Sequence, residues 1–123
     1  MPVLVQRHND VVVNKFEINH QGLTIGRSIK NDLYLDDPST SQTHAKIVAK
    51  ELKDGSLIYF LVDLDSTNKT FVNQQPITEH LLTDQDEIEI GMHHFKFIDE
   101  NKESLAATRQ YKKSWIPGVL VLK

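Results

Sequence analysis

Apolar and polar residues alternate with a period of two along most of this chain, the pattern of half-buried β-strands. Val3-Leu-Val, Val11-Val-Val-Asn-Lys-Phe-Glu-Ile and Leu23-Thr-Ile each read as a strand, with Asn9-Asp10 and His20-Gln-Gly22 as the turns between them. Leu33-Tyr-Leu is a shorter candidate. Ala45-Lys-Ile-Val-Ala-Lys and Leu57-Ile-Tyr-Phe-Leu-Val flank Asp54-Gly55, the dipeptide favoured in a type I′ hairpin turn. Thr70-Phe-Val-Asn, Glu87-Ile-Glu-Ile and, past the Gly91 corner, His93-His-Phe-Lys-Phe-Ile complete the series. No window before residue 100 keeps a helical period. Many short strands with closely spaced turns predict an all-β sandwich or barrel.

Two connections are too long and polar for plain hairpins. One runs from Arg27 to His44 around Leu33-Tyr-Leu, the other from Asp63 to Thr70. Loops at the end of a rigid sandwich are where binding residues usually sit. Residues 1–100 read as one domain and 101–123 as a basic C-terminal extension of different character. The extension begins with a stretch suited to a short helix capped by Asn101. It continues as Trp115-Ile-Pro-Gly-Val-Leu-Val-Leu, read as a final strand on the body.

At 123 residues the chain can bury roughly two-thirds of its unfolded surface, enough for one core without staples. Its 25% charged and 39% hydrophobic residues are those of a globular domain. The absence of cysteine excludes a disulfide scaffold, a cysteine nucleophile and zinc–thiolate sites. With no signal-peptide pattern and no apolar stretch long enough for a membrane span, a cytoplasmic location is expected. The net charge of −3 argues against nucleic acid as a partner. That charge is uneven: residues 1–100 carry −7 and residues 101–123 carry +4.

No catalytic constellation assembles, so an enzyme is not expected. His93-His94 would point to opposite faces of a strand and cannot chelate one ion; both read as surface histidines, and no metal or cofactor is implied. Asp84, Asp86 and Glu87 read as a turn entering a strand. What the long loops do offer is anion-binding chemistry. Arg27 carries a guanidinium suited to bidentate phosphate contact, Ser39-Thr-Ser-Gln-Thr-His44 is rich in hydroxyls, and Ser66-Thr-Asn-Lys-Thr70 adds hydroxyls, an amide and a lysine. Ser and Asn in turns also commonly cap their own backbone, so the residues alone leave both readings open.

Taken in order, the motifs resemble those of the forkhead-associated (FHA) domain family. They are Gly26-Arg27, Asn31-Asp32-Leu33, Ser41-Gln-Thr-His44-Ala-Lys-Ile47, Asp63-Leu-Asp-Ser-Thr-Asn68-Lys-Thr70-Phe-Val-Asn73, Leu82-Thr-Asp-Gln-Asp86-Glu-Ile88, Ile90-Gly91 and Phe95-Lys-Phe97. The resemblance implies an FHA-like β-sandwich of about eleven strands in two sheets that binds phosphothreonine peptides at one end. It implies that Arg27 and Ser41 hold the phosphate, that Thr67 supports phosphate or peptide, and that Asn68 bonds the peptide main chain. Gly26 and His44 would be architectural. The implied partner is a phosphothreonine-containing protein, such as a Ser/Thr kinase or its substrate, with the chain acting as an adaptor. The alternative is a scaffold of the same fold that binds partners without phosphate.

Two positions depart from the family pattern. Gln42 stands where Arg or Lys is common, and Lys69 where glycine is preferred. Gln42 donates without charge, whereas Lys69 could restore a cation near the phosphate. A phosphorylated Thr108 could occupy the site of its own or a second copy, giving autoinhibition or self-association. Thr83, with Asp86 three residues later, lies inside a family block and reads as structural.

Overall fold

The computed structural model describes residues 1–99. Eleven strands form two sheets: β1 (Val3–His8), β2 (Val11–Glu17), β3 (Leu23–Gly26), β4 (Leu33–Tyr34), β5 (Ala45–Glu51), β6 (Leu57–Asp63), β7 (Thr70–Val72), β8 (Gln75–Ile77), β9 (Glu79–Leu81), β10 (Glu87–Ile90) and β11 (His93–Ile98). The six-stranded sheet runs β2-β1-β11-β10-β7-β8, the five-stranded sheet β4-β3-β5-β6-β9. All named pairs are antiparallel except β3 with β4, where Ile25 lies opposite Leu33. The all-β class agrees with the sequence pattern, and the eleven strands in two sheets agree with what the family resemblance implies. The helix and final strand proposed for residues 101–123 lie outside the described residues.

The alternation is converted directly into a core. Leu4, Ile88, Ile90, Phe95 and Phe97 from the six-stranded sheet meet Ile25, Ile47, Tyr59 and Leu61 from the other in one buried cluster. Tyr59 and Phe97 stack at a tilt, with ring centroids 6.0 Å apart. Full burial of each such side chain is worth about 1.5–3 kcal/mol, so the strand period itself drives the sheets together.

The turns show where local chemistry and loop length compete. Asn9 and Asp10 both have positive φ and His8 pairs with Val11, giving a two-residue hairpin. Asn73 and Gln74 do the same between β7 and β8, with no glycine to announce it. The Asp54-Gly55 expectation is corrected. Only Gly55 has positive φ, Gly55 N–H donates to Leu52 O at 2.9 Å, and Leu52 N–H donates to Ser56 O at 2.8 Å. That is a tight turn followed by one left-handed residue, not a type I′ pair.

Asp86 ties the connection between β9 and β10 to two other elements. Its carboxylate accepts from Thr83 N at 2.9 Å and Asn73 Nδ2 at 3.0 Å, and pairs with His80 Nε2 at 3.1 Å. Burial pushes this carboxyl up, but the bonds from His80, Thr83 and Asn73 outweigh it and hold it below the usual carboxylate range. A depressed folded value means that unfolding takes up protons in acid. The contribution is therefore complete above about pH 4 and lost as pH falls through the folded value. Asp86→Asn should cost about 1–3 kcal/mol at pH 7 and flatten the fall in stability as pH drops below about 4. Urea unfolding across that range checks both.

Candidate functional site

The site is built where three loops meet: β3–β4, β4–β5 and β6–β7. Gly26 permits the first contact. A Cβ there would stand 2.2 Å from Gln42 O and 2.7 Å from Asn31 Nδ2. In its absence Arg27 N–H donates to Ser41 O at 2.9 Å, Ser28 N–H donates to Gln42 O at 3.2 Å, and Asn31 Nδ2 donates to the same carbonyl at 2.8 Å. The backbone of residue 41 is thus held against that of residue 27.

Arg27 donates from Nε to Thr40 O at 3.0 Å. Its two terminal nitrogens have no acceptor among the described residues, and the residue is exposed. Ser41 is half-buried, and its Oγ accepts from Thr67 N–H at 3.0 Å. The single hydroxyl hydrogen of Ser41 has no acceptor among the described residues. One guanidinium fork and one hydroxyl are therefore positioned by their inner atoms while their outer donors stay open.

His44 joins the loops. It is fully buried, its Nδ1 accepts from Ser41 N–H at 3.0 Å, and its Nε2 faces Lys69 O at 2.9 Å. An amide N–H can only donate and a carbonyl can only accept, so the ring hydrogen sits on Nε2. Asn68 donates from Nδ2 to Ser39 O at 2.9 Å, leaving its second amide hydrogen and Oδ1 exposed. Thr67, Gln42 and Lys69 are exposed on the same loops.

Three supports were not among the candidate site residues. Asp63 accepts from Ser66 N at 3.1 Å, from Thr70 Oγ1 at 2.7 Å and from Ser66 Oγ, bracing the β6–β7 loop at its base. Burial pushes the Asp63 carboxyl up, yet the bonds from Ser66 and Thr70 hold it below its usual range. Asp37 accepts from Ser39 and pairs with His93 Nε2, and Ser39 Oγ accepts from Met92 N at 3.1 Å. His93 is accordingly a half-buried bracing residue, correcting its reading as a surface histidine, whereas His94 is exposed. Asn31, the third support, stood in sequence only as part of a family motif, as Asp63 did.

Among the described residues, Arg7 and Lys96 are the only Lys or Arg side chains in ion pairs. Arg27, Lys30 and Lys69 on these loops are not in ion pairs, and they share the loops with the exposed Asp32, Asp36 and Asp65. No group of three or more metal-binding side chains occurs among the described residues.

The family model described as "FHA domain" matches residues 23–91. The chain belongs to the FHA domain family. It is 30% identical over 102 residues to the oxoglutarate dehydrogenase inhibitor of Corynebacterium jeikeium, covering 83% of this chain and 67% of that protein. It is 29% identical over 96 residues to the glycogen accumulation regulator GarA of Mycolicibacterium smegmatis, covering 78% and 58%. The chain thus spans a little over half to two-thirds of the length of these relatives, which are named for inhibition and regulation. A solved structure described as an analysis of phosphothreonine-dependent FHA domain interactions superposes with a TM-score of 0.69 at 25% identity, covering 80% of this chain and 96% of that one.

Lys69 sits at φ +70, in the left-handed region. A side chain there costs roughly 1–2 kcal/mol relative to glycine. Lys69→Gly should accordingly raise stability by about 1 kcal/mol, read from the urea midpoint. An unchanged midpoint would mean that the lysine side chain recovers the cost.

Proposed function

We propose that this FHA domain is a phosphothreonine-peptide reader that acts by binding and carries out no chemistry of its own. The observation that carries the reading is the paired state of Arg27 and Ser41: each is fixed through an inner atom, and each keeps outward donors without an acceptor. In this reading both hold phosphate oxygens. Thr67 and Asn68 take the phosphate edge and the peptide main chain, Gln42 and Lys69 line the rim, and Gly26 and His44 hold the loops in register. The partner is a phosphorylated protein of a Ser/Thr-kinase system. The relatives' names favour a regulated enzyme as the kind of target. A phosphate-independent contact is the second reading, favoured by the neutral Gln42 at the rim.

Phosphothreonine carries about −1.5 to −2 charge at neutral pH and three acceptor oxygens. Hydrogen bonds to charged groups contribute about 1.5–3 kcal/mol each. Two of them separate phosphorylated from bare threonine by about two to four decades. A short flexible peptide loses ordering entropy on docking, which places the expected affinity in the micromolar range.

Titration of phosphothreonine, phosphoserine and unphosphorylated peptide libraries by fluorescence anisotropy tests the proposal. Arg27→Ala should weaken phosphothreonine binding roughly 10- to 150-fold with the fold intact. Binding should also weaken below about pH 6, as the phosphate takes up its second proton and loses charge. Equal binding of phosphorylated and bare peptides, unaffected by Arg27→Ala, would favour the phosphate-independent reading.

A further inference from the structure

Arg27 and Asn68 come from different loops but hang on neighbouring carbonyls. Arg27 donates from Nε to Thr40 O at 3.0 Å, and Asn68 donates from Nδ2 to Ser39 O at 2.9 Å. The pose of both side chains therefore depends on where the Ser39-Thr40 dipeptide stands. Every polar atom of Ser39 is used to fix it. Its N–H donates to Asp37 Oδ1 at 2.8 Å, its hydroxyl donates to the same oxygen, and its Oγ accepts from Met92 N–H at 3.1 Å. Thr40 N–H donates to Asp37 O at 3.2 Å, and Thr40 is buried.

The floor under the dipeptide is the turn between β10 and β11. Gly91 has φ +59 there, and a Cβ on it would stand 2.5 Å from Ser39 Oγ and 3.0 Å from Ser39 O. Glycine thus lets the turn meet the loop. His93 closes the arrangement from β11: its Nε2 pairs with Asp37 Oδ2, while its Nδ1 faces Gln6 Nε2 at 3.4 Å. A carboxylate only accepts and an amide nitrogen only donates, so in the neutral ring the hydrogen sits on Nε2. Burial pushes the Asp37 carboxyl up, but the bonds from Ser39 and His93 hold it below the usual range.

We propose that Asp37 and His93 are positioning residues for the phosphothreonine site: they fix the Ser39-Thr40 dipeptide on the β10–β11 turn, and through it Arg27 and Asn68 act as one coupled unit. The inference rests on the phosphothreonine reading given above. Asp37 and His93 act through the dipeptide and not on the peptide itself. Loosening the dipeptide releases the guanidinium and the amide together, so losses at these positions are not additive.

Phosphothreonine-peptide titration and side-chain exchange of the free protein test this together. His93→Phe, which keeps a ring but removes the donor, should weaken binding about tenfold with the melting of the sandwich little changed. His93→Gln, which keeps a donor at similar reach, should recover most of that loss. In the His93→Phe background, Arg27→Ala should cost at least about threefold less than in the wild-type chain. Asp37→Asn, the smaller change of shape, should behave as His93→Phe does and replaces it should that variant not fold. In the free protein, the Asn68 Nδ2 and Arg27 Nε hydrogens should exchange with water more slowly in wild type and His93→Gln than in His93→Phe or Asp37→Asn. Equal exchange in all four overturns the proposal whatever the peptides do, as do independent, multiplying losses of affinity. A preserved exchange difference in a wild-type chain that binds no phosphothreonine peptide overturns instead the reading on which the proposal rests.

Discussion

The imidazole of His44 is the constraint on which the binding end depends. It is wholly enclosed, and both ring nitrogens are used, one on the amide of Ser41 and one on the carbonyl of Lys69. Two loops far apart in sequence are thereby fixed at one separation. That separation lets Thr67 N–H reach Ser41 Oγ, which in turn sets where the serine hydroxyl stands. A ring that only filled space would not do this. Loss of either bond would leave a buried polar group unsatisfied, at a cost of about 1–3 kcal/mol, and free the loops to separate.

Most strands were legible because they are half-buried and the period of two is the direct mark of a two-faced surface. β8 and β9 were not. Gln75-Pro76-Ile77 and Glu79-His80-Leu81 are three-residue strands, too short for a period to show, and the turn before β8 uses Asn73-Gln74 without a glycine. Asp54-Gly55 misled for a related reason: the dipeptide matched a two-residue turn, but loop length decided the geometry, and only Gly55 is left-handed. At the binding end, the residue types of Arg27, Ser41 and Asn68 could be read from motifs. The bracing of Asp37 by His93 could not, because hydrogen-bond partners 56 residues apart leave no local pattern.

The charge distribution separates what acts at a distance from what acts on contact. A body of −7 opposes a phosphate far away, but salt screens that field beyond about 8–10 Å. Within that range Arg27, Lys30 and Lys69 share the loops with the exposed Asp32, Asp36 and Asp65, so the individual contacts decide.

Lys69 concentrates the compromise between stability and binding. Its backbone holds a conformation that glycine adopts without strain, and its carbonyl is the acceptor for His44. The backbone function would be served equally by glycine, so the lysine side chain is retained at a cost of roughly 1–2 kcal/mol. A matching observation lies across the site, where the neutral Gln42 stands exposed with its carbonyl bonded to Ser28 and Asn31. One rim position lacks a charge and the other carries one against its backbone preference. In the proposed reading, a cation at position 69 and none at position 42 would set which side of a bound peptide faces the charge.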